Sequence, residues 1–139
     1  MSDSGIDVWL ENFIVTHGGI AGTVHVRSGD ALAIAASRNV PPKVVGVTRI
    51  IPKGKGMAGL AWERDRPVAT CNLQTDESGD VRPGARAVDA QAAAALPIRD
   101  ASGDVRAVVG IAFSEERVLD DRELEDLQRA AASVIELIR

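Results

Sequence analysis

The chain has 139 residues, 45% of them hydrophobic, and a formal net charge of −4 from 16 basic and 20 acidic residues. This length predicts a single domain over residues 1–139, and the acidic balance gives no electrostatic basis for binding nucleic acid or an anionic membrane. The single cysteine, Cys71, excludes an internal disulfide and a metal site built on paired cysteines. No apolar run approaches the roughly 20 residues of a membrane span, and no signal-peptide pattern opens the chain, so we predict a cytoplasmic protein.

The N-terminal part of the chain predicts a helix followed by a β-hairpin. Apolar residues at helical spacing predict the helix over about 6–16, and Gly18 and Gly19 end it. Those apolar residues are Ile6, Leu10, Phe13 and Ile14. Two strand-like runs, 20–26 and 31–37, are joined by the turn residues Ser-Gly-Asp, which indicates a hairpin.

The middle of the chain predicts short elements and one long loop. The segment 41–47 begins with two prolines and fits one or two helical turns, and 57–64 fits another short helix. Residues 66–73 read as a strand, while 74–86 are polar and rich in Gly, Pro and Asp, which is typical of a loop.

The C-terminal part predicts a second hairpin and a closing helix. An Ala-Ser-Gly-Asp turn at 101–104 separates two apolar runs, of which the second spans 105–114. The closing helix is predicted over about 120–138, with Asp120 or Asp121 accepting from free amides at its start. Its apolar stripe contains Leu124, Leu127, Ala131, Val134, Ile135 and Ile138. Hairpins with flanking helices indicate an α+β fold with a mostly antiparallel sheet.

The stretch GKGMAG matches the dinucleotide-binding pattern G-x-G-x-x-G at Gly54, Gly56 and Gly59. That pattern works only between a parallel strand and a long crossover helix. Here the following helix has about two turns and the neighbouring elements are hairpins, so we predict a structural role in which glycine lets a helix approach a sheet closely. Anion binding at the helix start, with Lys53 or Lys55 nearby, is the functional alternative.

Three stretches together resemble a GAF domain over about residues 20–139. They are IIPKGKGMAGLAWERDRPVATCNL, LPIRDASGDVRAVVGIAF and LDDRELEDLQRAAASVIELI. The resemblance implies a PAS/GAF-type fold: a central antiparallel sheet of five or six strands with flanking helices. It also implies a sensory or regulatory module, in some members with a small ligand beneath the loops after the middle strand, and commonly dimeric through terminal helices.

We therefore predict a non-enzymatic GAF module that binds a small molecule and acts on a separate signalling partner, because no effector domain is recognised in the chain. The alternative is an interaction or dimerisation module without a ligand, and a homodimer is expected in either case. Some members of the family reduce free methionine sulfoxide with several cysteines. One cysteine cannot form the resolving disulfide within the chain, so a Cys71-dependent redox enzyme is disfavoured.

The predicted ligand-binding residues are Cys71, Asp76, Arg82 and Arg86. In the resemblance the loop 74–86 corresponds to the segment covering the ligand pocket, and two arginines there could clamp a carboxylate or phosphate. Cys71 is expected to be a small buried strand residue, with a reactive thiol as the alternative.

The two histidines, His17 and His25, provide no metal-site pattern. His25 alternates with Val24 and Val26, so we predict that it faces the opposite side of its strand and that its side chain is exposed or fully hydrogen-bonded. A haem ligand is the alternative, and the sequence leaves the cofactor unknown.

Overall fold

The computed structural model describes residues 4–75, 78 and 90–138. In chain order its elements are α1 (Ser4–Thr16), β1 (Ala21–Ser28), β2 (Ala31–Arg38), α2 (Pro42–Thr48), β3 (Ile50–Pro52), α3 (Gly56–Arg64), β4 (Val68–Thr70), β5 (Ala93–Arg99), β6 (Val105–Ala112), α4 (Asp121–Ala131) and a 3₁₀ helix (Ala132–Leu137). The strands form one antiparallel sheet in the order β3-β2-β1-β6-β5-β4. This confirms the predicted α+β fold and the two hairpins.

One face of the sheet, which we call the α1–α4 face, carries the larger hydrophobic core. Strand positions such as Val24 and Val109, which are register partners on the two central strands, point into this core. The apolar stripe of α1 packs on them, as its helical spacing predicts. Trp9 stacks on Phe13 with ring centroids 5.0 Å apart and donates from Nε1 to Ser133 Oγ at 2.9 Å, which joins α1 to the 3₁₀ helix.

The opposite face, which we call the α3 face, carries two smaller clusters. In the first, Trp62 of α3 belongs to the same cluster as Val108 of β6 and Leu32 of β2. In the second, all core members are alanines except Leu73; the members are Ala21, Leu73, Ala90, Ala93 and Ala112. Met57, in the first turn of α3, packs against both clusters. Small side chains therefore cover much of this face.

Several element boundaries differ from the predictions. The three-residue strand β3 was not predicted, and β4 is confined to Val68–Thr70 because it pairs only with Ala93–Ala95 of β5. The closing helix tightens into a 3₁₀ helix after Ala131. Between the two aspartates offered as its cap, Asp120 is the one that accepts from the Glu123 amide, at 2.8 Å.

The glycines of GKGMAG have the structural role predicted for them. Gly54 and Gly56 adopt φ of 82° and 65°, which other residues rarely tolerate. A Cβ on Gly59 would lie 2.6 Å from the Pro52 carbonyl oxygen, so only glycine lets α3 lie this close to β3. The Gly54 amide donates to the Gly59 carbonyl oxygen at 2.9 Å and closes the loop. Because β3 is an antiparallel edge strand, the context of a dinucleotide site is absent from this stretch.

Candidate functional site

Three residues at the centre of the α3 face are incompletely covered. Thr23 of β1 and Gly110 of β6 are register partners on the two central strands, where a covered sheet would bury them. Both are nevertheless partly exposed, as is Ser37, the β2 partner of Thr23. We call this site, bounded by Met57 on one side and His25 on another, the central hollow.

The floor of the central hollow lacks bulk because Gly110 has no side chain. A Cβ placed there would lie 3.0 Å from Thr23 Oγ1, so the threonine hydroxyl sits directly over the glycine. Within the described part of the chain this hydroxyl makes no hydrogen bond. It is not among the buried polar atoms that lack a partner, so it is accessible to water. A small molecule at this place would meet a residue without a side chain and one free hydroxyl. Glycine inside a strand often marks such a close approach, so Gly110 is a signal in the sequence that could have indicated this position, although the sequence analysis did not use it.

His25 lies beside the hollow on the same face, opposite to Val24 and Val26 as predicted. Its side chain is only 2% exposed, and Nε2 lies 2.8 Å from the carbonyl oxygen of Thr48 at the end of α2. Nδ1 is buried without a hydrogen-bond partner. The prediction of an exposed or fully hydrogen-bonded His25 is therefore wrong for one of its two ring nitrogens. Sequence alternation placed the residue on the correct face, but it could not reveal a contact made 23 residues further along the chain.

The predicted site residues are only partly within the described chain. Asp76, Arg82 and Arg86 lie outside the described residues, so their predicted ligand-binding role stays a prediction. Cys71 follows directly after the last residue of β4 and is exposed, which corrects the expectation of a buried strand residue. The pairing of β4 with β5 ends at Thr70, so Cys71 lies outside the sheet and is not covered by it.

Among the described residues, the contacts next to Cys71 are made by Arg117 and Asn72. Arg117 approaches only through its amide, which donates to the Cys71 carbonyl oxygen at 3.4 Å, while its guanidinium stacks on Phe113 and pairs with Glu123. The adjacent Asn72 donates to the Glu116 carboxylate at 2.6 Å.

A second concavity, of about 330 Å³, lies at the edge of the sheet between β5 and α4. Polar and apolar residues line it together, and three of the polar ones are already engaged. Arg129 binds the Asp126 carboxylate at 3.3 Å. Gln128 donates to the Pro97 carbonyl oxygen at 2.8 Å, and Arg99 binds the Asp65 carboxylate at 2.8 Å. The cleft is open to solvent and holds no unpartnered buried group among the described residues, so it is a weaker candidate than the central hollow.

The described residues contain no cluster of three or more side chains able to hold a metal ion. The alternative of a haem ligand at His25 fits poorly, because Nε2 is engaged by Thr48 and Nδ1 lies on the side of the ring nearer its own backbone. None of the helices described is both long enough and apolar enough to span a bilayer.

The comparisons with known proteins agree with this fold. Residues 9–138 match the sequence profile of the GAF domain. Similar solved structures include the type II free methionine-R-sulfoxide reductase of Thermoplasma acidophilum, with 14% identity, a TM-score of 0.75 and coverage of 96% of this chain and 89% of that one. The GAF domain of the Acinetobacter phosphoenolpyruvate-protein phosphotransferase has 14% identity, a TM-score of 0.76 and coverage of 99% and 82%. The nlh2 GAF domain of A. aeolicus has 20% identity, a TM-score of 0.69 and coverage of 99% and 82%. No curated protein matches the chain.

These similarities correct one prediction. The sequence led us to predict that the chain is not an enzyme, but free methionine-R-sulfoxide reductases, which are enzymes, share its fold. The fold therefore does not exclude catalysis. At identities of this size the comparison shows the fold alone, which is that of sensory and regulatory modules in general and of some enzymes. Because the GAF profile covers nearly the whole sequence, the chain belongs to the GAF domain family.

Proposed function

We propose that this GAF domain is a regulatory module that binds a small molecule in the central hollow and passes the binding signal to a partner protein. The observation that carries the proposal is the partial exposure of Thr23 and Gly110 at the middle of a six-stranded sheet. Central sheet positions are normally sealed by side chains from the layer above, and small-molecule sites are concave, with few polar groups. The central hollow offers one such polar group, the Thr23 hydroxyl, beside a residue that has no side chain.

The test is a thermal-shift screen of nucleotides, amino acids and other small metabolites on the wild-type chain. A ligand at a hundred times its dissociation constant stabilises the folded state by about 2.7 kcal/mol, which is readily measured. Gly110→Ala fills the hollow with one methyl group, and the Thr23 hydroxyl has only to rotate away. We expect a stabilising compound to lose its effect on Gly110→Ala.

The matched control is Gly5→Ala, which adds the same methyl group on α1, on the other side of the sheet, at an ordinary 3.8 Å from Leu137. This variant should keep the full ligand-induced shift. A shift that persists in Gly110→Ala would contradict the proposal. Spectra of the compound itself, recorded over hours, separate binding from turnover, and conversion of the compound would identify an enzyme.

A second function is favoured by exposed apolar residues on the outer surface of α1 and the 3₁₀ helix. Val8 is 58% exposed, Val15 is 74% exposed and Leu137 is 40% exposed. Val8 and Val15 lie seven residues apart and therefore on one side of α1. We propose that this surface forms a homodimer with a second copy, as the resemblance implies. Sedimentation velocity should show a dimer for the wild type and a monomer for the double variant Val8→Asp, Val15→Asp. The control Val118→Asp, at an exposed valine outside this surface, should remain a dimer. A monomeric wild type at high micromolar concentration would refute the proposal.

A further inference from the structure

Four exposed residues of α1 form a second stripe, which we call the α1 stripe, on the side of the helix away from the sheet. They are Gly5, Val8, Asn12 and Val15. Their spacing of three, four and three residues is that of the contact positions in a two-stranded coiled coil. The core residues of α1, such as Leu10 and Phe13, lie on the opposite side of the helix and pack on the sheet. The fold of one chain therefore leaves the α1 stripe without a contact.

Asn12 is the polar residue within the α1 stripe, between the two valines. In the part of the chain that the structure describes, its side-chain amide makes no hydrogen bond. An asparagine amide has two donor hydrogens and an acceptor oxygen, so two asparagines that face each other can both donate and accept. An asparagine at a contact position fixes the register of a helix pair at some cost in stability. The α1 stripe is therefore complementary to a second copy of itself.

The surroundings of the α1 stripe also suit a second copy. Glu11 is the acidic residue that flanks it, and its carboxylate is paired with Arg38 at 2.6 Å. Two copies therefore meet without facing unpaired carboxylates, which would repel each other. At the other end of the helix, a Cβ on Gly5 would lie 3.8 Å from Leu137 Cδ2. Leu137 is 40% exposed, so the 3₁₀ helix extends the apolar surface beyond α1.

The two possible orientations of the second copy differ in what Asn12 faces. In a parallel pair each residue of the α1 stripe faces its own counterpart, so Asn12 meets Asn12 of the second copy. In an antiparallel pair about the centre of the stripe, Asn12 faces Val8, and Gly5 faces Val15. The antiparallel pair takes the amide out of water without giving it a hydrogen bond, which is unfavourable.

We propose that α1 of one copy packs parallel to α1 of a second copy along the α1 stripe, and that a hydrogen bond between the two Asn12 amides sets this orientation. This inference rests on the proposed homodimer and specifies how the second copy is placed. Because Leu137 lies beside Gly5, the start of α1 and the end of the 3₁₀ helix are neighbours. A parallel pair gathers these ends from both copies at one end of the dimer, whereas an antiparallel pair separates them by the length of α1, about 20 Å.

Disulfide cross-linking in a Cys71→Ser background tests the orientation, because Cys71 is the single cysteine of the chain. Val15→Cys alone should give a covalent dimer on mild oxidation, since the two thiols face each other in a parallel pair. In a mixture of Gly5→Cys and Val15→Cys chains, each variant should cross-link only with itself, and mass spectrometry should find no mixed disulfide. The control Val118→Cys, at a valine that is 77% exposed outside the stripe, should not cross-link.

The outcomes separate the orientation from the homodimer itself. A wild-type chain that sediments as a monomer would overturn both proposals. A dimer that forms the mixed disulfide, or that cross-links no better through Val15→Cys than through Val118→Cys, would overturn the parallel orientation and leave the homodimer.

The variant Asn12→Val tests the role of the amide. It should still dimerise, but the mixed disulfide between chains with Gly5→Cys and chains with Val15→Cys should rise from absent to readily detected, because an apolar stripe no longer distinguishes the two orientations. An unchanged cross-linking pattern in Asn12→Val would refute the assignment of the orientation to Asn12.

Discussion

Replacing Gly59 with alanine tests the physical explanation of the GKGMAG stretch. The added Cβ would lie 2.6 Å from the Pro52 carbonyl oxygen and 3.1 Å from the Gly54 amide nitrogen. Both neighbours are backbone atoms, so no side chain can rotate to make room. Ordinary contact begins at 3.4 Å, so α3 must move from β3 by 3.4 − 2.6 = 0.8 Å. That movement strains the hydrogen bond between the Gly54 amide and the Gly59 carbonyl oxygen.

The net effect of Gly59→Ala is destabilising. Overpacking a close contact costs about 1–3 kcal/mol. Alanine gains about 1 kcal/mol over glycine inside a helix, but losing the loop hydrogen bond costs about the same, so these two effects nearly cancel. We therefore expect a loss of about 2 kcal/mol in the free energy of unfolding. Ala61 and Trp62 of the same helix are buried in the core, so α3 cannot move away from β3 without disturbing their packing.

Urea denaturation followed by tryptophan fluorescence and circular dichroism measures this loss. With an m-value of about 2 kcal/mol/M, the midpoint should fall by about 1 M without a change in m. The matched control is Gly46→Ala in α2, where the added Cβ meets nothing within 4 Å and should stabilise by about 0.4–1 kcal/mol. A Gly59→Ala protein as stable as the wild type would refute the close-approach argument.

Three further predictions follow from single side chains. Asp120→Ala should cost about 1 kcal/mol in urea unfolding, because Asp120 caps the Glu123 amide of α4, whereas Asp121→Ala should cost less; equal losses would contradict the cap assignment. Cys71 should react with a thiol reagent in the native protein at one thiol per chain, and labelling that requires denaturant would contradict its exposure. Because burial lowers the pKa of His25 in the folded protein below 6.5, the unfolded chain binds the proton first as pH falls. The free energy of unfolding should therefore decrease below about pH 6.5, and it should decrease less in His25→Gln. The same pH dependence of the free energy of unfolding in both proteins would refute this prediction.

The sequence predicts the elements whose periodicity is strong. In α1 the spacing of Ile6, Leu10 and Phe13 defines the buried side, and the two hairpins follow from turn residues between apolar runs. The strand β3 was missed because three residues before a glycine loop have no period of their own. The end of β4 was misplaced because it is set by pairing with Ala93–Ala95, more than twenty residues away. The exposure of Cys71 follows from that same long-range register.

The candidate site was predictable only in part. Gly110 is visible in the sequence as a glycine inside the predicted strand 105–114, and alternation placed His25 on the correct face. The sequence could not show that the Thr48 carbonyl oxygen accepts from only one of the two imidazole nitrogens of His25. It also could not show that α2 and α3 leave Thr23 partly exposed. These features depend on how short helices dock on the sheet, which involves contacts between residues distant in the sequence.

The central claim is that the central hollow is the ligand site of this GAF domain. An amide NMR map of the wild-type chain with a stabilising compound from the screen tests it most directly. We predict that the largest shifts fall at Thr23, His25 and Gly110. Largest shifts at Gln128 and Arg129 in the α4 cleft, or at Val8 and Val15 on α1, with Thr23 and Gly110 unchanged, would contradict the claim.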